Sequence, residues 1–406
     1  MIYSFSFKNF CSFADKATIS FEEIRKGVDT DSNMFINTPL GTRLSKVMII
    51  IGSNASGKTN ALKALAFLSW FVPNSFNGLE GENSEIPFDA FIFSEDQERT
   101  SEFELVFEHN MKVYKYVLHL CKTHVIKEEL YQKEETNFFN YLFKRNWNPQ
   151  IGASDISQRI NLETEIVKKI LRKNVSLISA SVAINNNILI EIAGYWQKII
   201  GNVIRRGKSW DPSSLGDRRL VEATKAYVQN DNLFKKVELF LKDSDLGLEG
   251  ISLEGTDDPT KVEGKKNYLP FGLHKVNDKQ YKLPMIYESN GTKNMFVLLH
   301  FLLPVIEVGG IAVIDELEMD LHPHALPKII ELFINPAINP KNSQLLFTSH
   351  SLDILNHLEK EQVILVEKRK DCKSVLYRLD ELKGVRRDDN IYAKYMAGAY
   401  GAVPNI

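Results

Sequence analysis

The stretch Val47-Met-Ile-Ile-Ile-Gly-Ser-Asn-Ala-Ser-Gly-Lys-Thr59 decides the fold of this chain. Its first five residues form a continuous apolar run, which is typical of a strand buried on both faces of a parallel sheet. The glycine-containing turn that follows leads into a helix, predicted from about Lys58 to Trp70. A buried strand, a glycine-containing turn and a helix in this order are the setting of a phosphate-binding loop, or P-loop.

The turn itself fits the P-loop pattern G-x-x-x-x-G-K-[ST] from Gly52 to Thr59. Glycine lets backbone N–H groups face phosphate oxygens, and the start of the helix adds partial positive charge. We expect Lys58 to contact the β- and γ-phosphates of ATP and the Thr59 hydroxyl to bind Mg²⁺. A chance match in a glycine turn is the alternative. The predicted ATP-binding residues of the loop are Gly52, Ser53, Asn54, Ala55, Ser56, Gly57, Lys58, Thr59 and Asn60.

A second apolar strand, Ile311 to Ile314, ends in the carboxylates Asp315 and Glu316. Neighbouring residues at a strand end point in different directions. Asp315 is therefore predicted to bind Mg²⁺, while Glu316 acts as the general base on the attacking water. A solvated strand end is the alternative for any single acidic pair.

The next predicted strand, Gln344 to Phe347, ends in Thr348-Ser-His350. A histidine at this place can contact the γ-phosphate, and we predict a catalytic role for His350. A lone histidine is more often structural, so this prediction depends on the position of His350 after the acidic strand.

The order of predicted elements indicates an α/β fold. Residues 1–150 contain the P-loop and a β-rich lobe, and residues 151–255 have the pattern of a mainly helical insert. Residues 256–406 return to alternating strands and helices, which predicts a parallel sheet covered on both faces. The segment 255–267 is polar and is predicted to be a loop.

Composition places the chain among ordinary globular proteins. It has 406 residues, 44% of them hydrophobic and 25% charged, with a formal net charge of -2. The three cysteines are far apart, and the most apolar stretch, near Met295 to Ile314, is interrupted by polar residues, Pro304 and two glycines. We expect a cytoplasmic protein without a membrane partner.

Charge is unevenly distributed along the chain. Residues 142–225 contain 14 Lys and Arg against 7 Asp and Glu, whereas residues 231–258 contain 3 against 8. Basic helices are usually solvated surfaces, but two surfaces of opposite sign also suit the docking of a partner. Within the basic segment, Arg205 and Arg206 are the predicted contacts for that partner or for DNA.

Taken together, a P-loop near the start and an acidic strand near the end resemble the ABC-type ATPases of the RecF, SMC and overcoming-lysogeny (OLD) group. The resemblance implies an ABC-type P-loop head with a β-rich N-terminal lobe and an inserted, mainly helical subdomain. It also implies that two copies form a homodimer, or a higher oligomer, with ATP sandwiched between them.

The same resemblance assigns further residues. Tyr287-Glu-Ser-Asn-Gly-Thr-Lys-Asn294 looks like the family's signature segment, and Glu318 to His324 resembles its D-loop. Gln97 lies in the region of the Q-loop, although no motif fixes it. The residues implied to contact the ATP of the partner subunit, or to lie at the dimer seam, are Ser289, Gly291, Lys293 and Asp320.

Within this group the chain looks most similar to stand-alone RloA or abortive-infection ATPases of the AAA family, which act in phage defence. This similarity includes the C-terminal Tyr395 to Pro404. Such ATPases are typically encoded beside an effector, often a nuclease-like protein, so a companion effector is the implied partner.

Three functions remain open on the sequence alone. The first is an ATP-dependent switch that controls a separate effector, and the second is a RecF-like DNA-repair ATPase that binds duplex DNA directly. The third, a scaffold that binds ATP without turnover, is disfavoured by Glu316 and His350. About 40 residues follow Val366, too few for the TOPRIM domain of OLD nucleases, so we expect the chain not to be a nuclease.

Overall fold

A computed structural model describes residues 1–23, 33–39, 41–93, 100–134, 138–204, 207–208, 212–244, 246–257 and 266–403. The predicted Q-loop residue Gln97 and the predicted docking residues Arg205 and Arg206 lie outside these ranges.

Strands dominate the N-terminal half of the described chain, and helices alternate with strands in the rest. The strands of the N-terminal half are β1 (Ile2–Lys8), β2 (Ala17–Ser20), β3 (Phe35–Asn37), β4 (Arg43–Ser45), β5 (Val47–Ile51), β6 (Ser101–His109), β7 (Lys112–Leu120), β8 (Val125–Lys133), β9 (Phe139–Asn148) and β10 (Ala153–Gln158). The remaining strands are β11 (Ile199–Gly201), β12 (Val203–Ile204), β13 (Gly207–Lys208), β14 (Gly250–Asp257), β15 (Lys266–Val276), β16 (Lys279–Pro284), β17 (Ile311–Ile314), β18 (Gln344–Thr348), β19 (Val363–Lys368) and β20 (Ser374–Arg378). The α-helices are α1 (Lys58–Gly78), α2 (Thr164–Ile170), α3 (Leu177–Ala183), α4 (Asn187–Trp196), α5 (Pro212–Gln229), α6 (Asp231–Lys242), α7 (Asn290–Val308), α8 (Ala325–Ile334) and α9 (Ile391–Met396).

A mostly parallel sheet forms the centre of the molecule, in the strand order β11-β17-β18-β5-β19-β20. Its inner strands β5, β17 and β18 are buried along their whole length, as their continuous apolar runs predict. Alternate residues face two different cores: Met48 and Ile50 pack on the side of α1, whereas Val47, Ile49 and Ile51 pack on the side of α7. The predicted parallel sheet with both faces covered is therefore confirmed.

A second, antiparallel sheet forms the β-rich lobe, in the strand order β10-β9-β8-β7-β6-β1-β2. In β6 every second residue is buried, as expected for a sheet with one face on the core and one towards solvent. The inner face carries Phe103, Leu105, Tyr116 and Leu118, which pack in the same core as α1. The β-rich N-terminal lobe predicted from the sequence is present.

The segment 151–255 contains α2 to α6, but it is less uniformly helical than predicted. β10 extends the antiparallel lobe, β11 is the edge strand of the central sheet, and β14 pairs with β15. These strands are short or polar, so their apolar periodicity is weak and pairing partners far along the chain stabilise them. The domain boundaries at 150 and 255 remain a prediction.

Two other local expectations need correction. Helix α1 continues to Gly78 rather than ending near Trp70, because its apolar face stays buried as far as Val72 and Pro73. The polar segment 255–267 is not wholly a loop, since β14 continues to Asp257 and β15 begins at Lys266.

Helix α7 is the only helix in the described ranges that is long and apolar enough to compare with a membrane span, and 56% of its most apolar window is buried inside the protein. Met295, Phe296, Leu299 and Leu302 place it in the core on the far side of the central sheet. Its hydrophobicity is therefore explained by packing within the fold.

Candidate nucleotide-binding site

The P-loop joins the end of β5 to the start of α1, and two glycines determine its path. A Cβ on Gly52 would lie 2.1 Å from the Val366 carbonyl oxygen, and one on Gly57 would lie 2.5 Å from Ser374 Oγ. Gly57 also has a φ of +117°, in a region that other residues rarely adopt. Both positions therefore require glycine, and the loop is pressed against β19 and β20.

Lys58 folds back over this loop. Its Nζ donates hydrogen bonds to the carbonyl oxygens of Gly52 at 2.9 Å and Ser53 at 3.1 Å. Burial lowers the pKa of the Lys58 ammonium, while the negative charges of Asp315 and Glu316 oppose this shift. The cation is thus held inside the loop that the sequence assigns to phosphate.

Asp315 is the most firmly fixed acidic residue of the site. It is buried, and its carboxylate accepts hydrogen bonds from Thr59 Oγ1 at 2.9 Å and from Thr348 Oγ1 at 2.6 Å. Asn202 holds its backbone from the other side, accepting from the Asp315 N–H at 2.7 Å and donating to its carbonyl oxygen at 2.9 Å. The two predicted Mg²⁺ ligands, Thr59 and Asp315, are therefore in direct contact.

An unusual backbone conformation at Glu316 changes the direction of the chain. Its φ of +50° turns the chain immediately after β17, and its N–H donates to Thr348 Oγ1 at 2.7 Å. Asp315 contacts Thr59, whereas Glu316 lines the space beside the P-loop. The division of these two carboxylates into metal ligand and general base stays a prediction.

A cavity of about 440 Å³ lies between the P-loop and the ends of the parallel strands. Crevices at the carboxyl ends of parallel strands are the usual ligand sites of such sheets. His350 lines the cavity, and its backbone N–H donates to Glu318 Oε1 at 2.5 Å. The lining residues are Asn54, Ala55, Ser56, Gly57, Lys58, Thr59, Asn60, Asp315, Glu316, His350 and Lys368.

The predicted signature residues form a separate cluster at the start of α7. Ser289 is the N-cap of this helix, and its Oγ accepts a hydrogen bond from the Thr292 N–H at 3.1 Å. Asp320 lies against this turn: Asn294 donates to its carboxylate at 2.9 Å, and a Cβ on Gly291 would lie 2.9 Å from its carbonyl oxygen.

The structure therefore brings Ser289, Gly291 and Asp320 together, but none of them lines the P-loop cavity of the same chain. Ser289 is exposed, so its hydroxyl and the helix N-terminus remain accessible from outside. Lys293 lies on the first turn of α7, where its Nζ donates to the Ile286 carbonyl oxygen at 3.4 Å.

A partly buried contact behind the signature segment has no signal in the sequence. Glu288, directly before Ser289, accepts from His274 Nε2 at 2.7 Å, and the other ring nitrogen of His274 lies 3.0 Å from the Gly247 carbonyl oxygen. Gly272 leaves room for the Glu288 carboxylate, since a Cβ there would lie 2.2 Å from Oε1. No motif marks His274, because it lies on β15 and meets Glu288 only through the packing of the three-stranded sheet β14-β15-β16.

Other supporting residues also lie far away in sequence. Ser374 Oγ donates to the Ser56 carbonyl oxygen at 2.5 Å and contacts Ser12 Oγ at 2.7 Å, while Asn60 Nδ2 donates to Ser12 Oγ at 3.0 Å. At the other end of the loop, the Ser53 N–H donates to the Ala402 carbonyl oxygen at 3.1 Å. The C-terminal segment therefore forms part of the wall of the P-loop.

The donor chemistry of the site fits Mg²⁺. The Asp315 carboxylate and the Thr59 hydroxyl are hard oxygen ligands, and Mg²⁺ in nucleotide sites is bound by one or two such groups plus phosphate oxygens. Asp315 and Thr59 are thus the residues of this chain that would hold the ion.

Comparison with known proteins gives one family match. A profile of the family described as "AAA domain, putative AbiEii toxin, Type IV TA system" matches residues 47–356, a span that starts at β5 and includes the P-loop, the signature segment, the acidic strand and His350. No curated protein sequence matches this chain.

Some similarity to solved structures was also found. An SMC head bound to the C-terminal winged-helix domain of ScpA is 13% identical, covering 94% of this chain and 98% of that chain with a TM-score of 0.45. The recombination mediator RecF with ATPrS is 14% identical over 93% of this chain and 98% of that chain, with a TM-score of 0.34. RecF with ATP is 14% identical over 86% of this chain and 91% of that chain, with a TM-score of 0.31.

The profile spans more than half of the chain and includes both the P-loop and the acidic strand. The chain therefore belongs to the family of AAA-domain proteins described as "AAA domain, putative AbiEii toxin, Type IV TA system".

Proposed function

We propose that this protein is an ATP-hydrolysing switch in which two copies close around ATP and control a separate effector, in a cytoplasmic antiviral response of the abortive-infection type. One observation carries the proposal. The cluster of Ser289, Gly291 and Asp320 is assembled and accessible, yet it lies outside the cavity formed by the P-loop and the acidic strand of the same chain.

A second copy is the natural source of the missing half of the site. The exposed N-terminus of α7 presents unpaired backbone N–H groups and a partial positive charge, which suit the γ-phosphate of ATP held in another subunit. Lys293, on the same turn, adds a full positive charge. In this arrangement ATP bridges the two copies, and the copies separate when ATP is lost.

Hydrolysis follows from the arrangement around Asp315 and Glu316. Glu316 accepts a proton from a water molecule whose oxygen attacks the γ-phosphorus, and the bond to the bridging oxygen breaks to give ADP and phosphate. Lys58 neutralises the charge of the β- and γ-phosphates, and His350 contacts the γ-phosphate from the end of β18. Asp315 and Thr59 would hold Mg²⁺, which when bound would supply further charge neutralisation.

The defence role is supported by the family profile, whose description names an AbiEii toxin and a type IV toxin–antitoxin system. We assign the antiviral activity itself to a companion effector, because Asp315 and Glu316 are engaged in ATP chemistry. Among the described residues, no group of three or more His, Cys, Asp or Glu side chains is placed to hold another metal ion.

Mixing two inactive variants tests the shared site. Lys58→Ala removes the P-loop cation, and Ser289→Arg places a bulky cation where the partner's γ-phosphate must approach. Each variant alone should lack ATP turnover, whereas a heterodimer retains one composite site free of both changes. Recovery of turnover on mixing is expected. Absence of turnover in heterodimers isolated with two different affinity tags would contradict a shared site that works independently of the second site in the same dimer.

Assays on the purified protein test whether this chain itself cuts nucleic acid. It should hydrolyse ATP slowly and leave DNA and RNA uncut with Mg²⁺ or Mn²⁺. Robust nuclease activity that survives Glu316→Gln would overturn the proposal of a separate effector. Binding to plain duplex DNA that depends steeply on salt, with repair of DNA damage lost in a deletion strain, would instead favour the RecF-like alternative.

A further inference from the structure

The outer face of the antiparallel lobe carries an alternating series of aromatic rings and cations. Lys115 Nζ lies 4.8 Å from the ring centre of Tyr131 and 5.1 Å from that of Phe139. Lys144 Nζ lies 5.5 Å from Tyr131 and 5.1 Å from Tyr141, and the Arg159 guanidinium lies 4.2 Å from Tyr141. We call the series Phe139, Lys115, Tyr131, Lys144, Tyr141 and Arg159 the cation–ring ladder.

The pairing of the strands explains how the ladder forms. Lys115 on β7 lies opposite Tyr131 on β8, and Tyr131 lies opposite Tyr141 on β9. Residues paired in this way share one face of a sheet, with strands about 4.8 Å apart. The neighbouring positions Tyr116 and Leu130 point into the core, so Lys115 and Tyr131 lie on the other face of the sheet, while the partly buried Phe139 also packs against this core.

The ladder's positive charge is not cancelled by ion pairs. Within the described ranges, Lys115, Lys144 and Arg159 form no ion pair with a carboxylate. Glu129, opposite Lys144 in the register, is paired with Lys127 at 3.0 Å and accepts from the Tyr131 hydroxyl at 2.9 Å. The three ladder cations are therefore held in place by rings and keep their charge available for an anion.

The rings of the ladder keep part of their own surface exposed, since Tyr131, Phe139 and Tyr141 are only partly buried. Rings that are accessible beside cations offer two different contacts at once, one for flat apolar groups and one for negative charge.

We propose that the cation–ring ladder binds single-stranded nucleic acid, with bases against the rings and phosphates against the cations. A single strand presents planar bases and phosphates in alternation, which matches the alternation of the ladder. A duplex hides the faces of its bases, and an acidic peptide offers charge without planar rings, so each would use only part of this surface. The surface lies on a different sheet from the ATP cavity and does not depend on the proposed ATP switch.

The decisive comparison distinguishes the contribution of the tyrosine rings to binding from that of their hydroxyl groups. Tyr131→Leu/Tyr141→Leu removes two rings, whereas Tyr131→Phe/Tyr141→Phe keeps them and serves as the matched control. Binding is measured by fluorescence anisotropy with labelled 15-nucleotide oligodeoxythymidine, the same length of oligouridine, and a 15-base-pair duplex. We expect the leucine pair to weaken single-strand binding by at least about tenfold, since each stacked base contributes roughly 5- to 150-fold, and the phenylalanine pair to stay within about twofold of the wild type.

The cations are tested through the salt dependence. Lys144→Gln/Arg159→Gln should lower the slope of log affinity against log salt by about 1.4, because each phosphate contact contributes about 0.7 for a single strand. Lys279→Gln, an exposed lysine on β16, is the control and should leave the slope unchanged.

Lys144→Gln/Arg159→Gln keeps the proposal testable if the leucine pair fails to bind ATP and is therefore misfolded, because it removes two ladder cations without removing a ring and should still weaken single-strand binding. A preference between the two single strands identifies the source of the ligand as DNA or RNA. Three results would each overturn the proposal: unchanged single-strand binding by the folded leucine pair, absence of binding to both single strands at low salt, or displacement by polyaspartate that binds the wild type and the leucine pair equally well.

Discussion

The two halves of the proposed ATP site are built in contrasting ways. The P-loop half is buried and densely connected: Lys58 and Asp315 are among the buried polar residues, and hydrogen bonds join β5, α1, β17 and β18 around them. The signature half is exposed, and a helix cap, one Asn294–Asp320 contact and the His274–Glu288 pair hold it. A rigid half can bind nucleotide alone, whereas an exposed half is suited to meet a second molecule.

The contrast also predicts how each half responds to substitution. Changes in the buried half should affect nucleotide binding or chemistry within one chain and also reduce stability. Changes in the exposed half should spare binding by the isolated chain and reduce only the steps that need two chains.

The largest effect on ATP binding is expected from Lys58→Ala. The ammonium is positioned over the P-loop, and losing its charge-assisted hydrogen bonds to two phosphates should weaken ATP binding by roughly 100-fold or more. Titration calorimetry with a slowly hydrolysed ATP analogue measures this directly. Lys63→Ala, on the same helix but away from the cavity, is the control, and near-normal affinity in Lys58→Ala would remove the assignment of the P-loop.

Glu316→Gln should separate binding from chemistry. The amide cannot accept the proton of the attacking water, so turnover should fall by about 10²- to 10⁴-fold while Asp315 still supports nucleotide binding. With ATP the variant should accumulate as a dimer in size-exclusion chromatography. Glu331→Gln on α8 is the control, and turnover near the wild-type rate in Glu316→Gln would assign the base elsewhere.

Asn202→Ala tests whether the buried half depends on its backbone clamp. The side chain makes two hydrogen bonds to the Asp315 backbone, and leaving those groups unsatisfied should cost about 1–3 kcal/mol of unfolding free energy. We also expect turnover to need more Mg²⁺ for half-maximal rate. Denaturant unfolding and a Mg²⁺ titration check both, and a loss of stability without any change in the Mg²⁺ requirement would limit Asn202 to a structural role.

The smallest effect is expected from His274→Ala, which frees Glu288 and loosens the turn that carries Ser289. Because this pair is partly exposed, its contribution to stability should be below about 1 kcal/mol. ATP binding by the single chain should be unchanged, and dimerisation driven by ATP should weaken severalfold. His357→Ala, exposed and outside both the signature segment and the D-loop, is the control, and equal dimerisation by His274→Ala and the wild type would show that the pair does not position the signature segment.

Sequence by itself determined the parts of this protein whose chemistry and periodicity are local. The run 47–51, the P-loop up to Thr59 and the Asp315-Glu316 strand end could be assigned because a buried parallel strand and a phosphate loop have short, specific patterns. The central sheet followed from these strands, since alternating β and α elements pack in few ways.

Only the tertiary structure decided which distant residues support those motifs. Asn202, His274 and Ser374 carry no motif, and each reaches the site through a strand or segment whose position depends on pairing with distant parts of the chain. The cation–ring ladder has the same origin, because the register of β7, β8 and β9 places its rings beside its cations. Register depends on many weak cross-strand contacts and turn geometries together, and no short stretch of sequence contains that information.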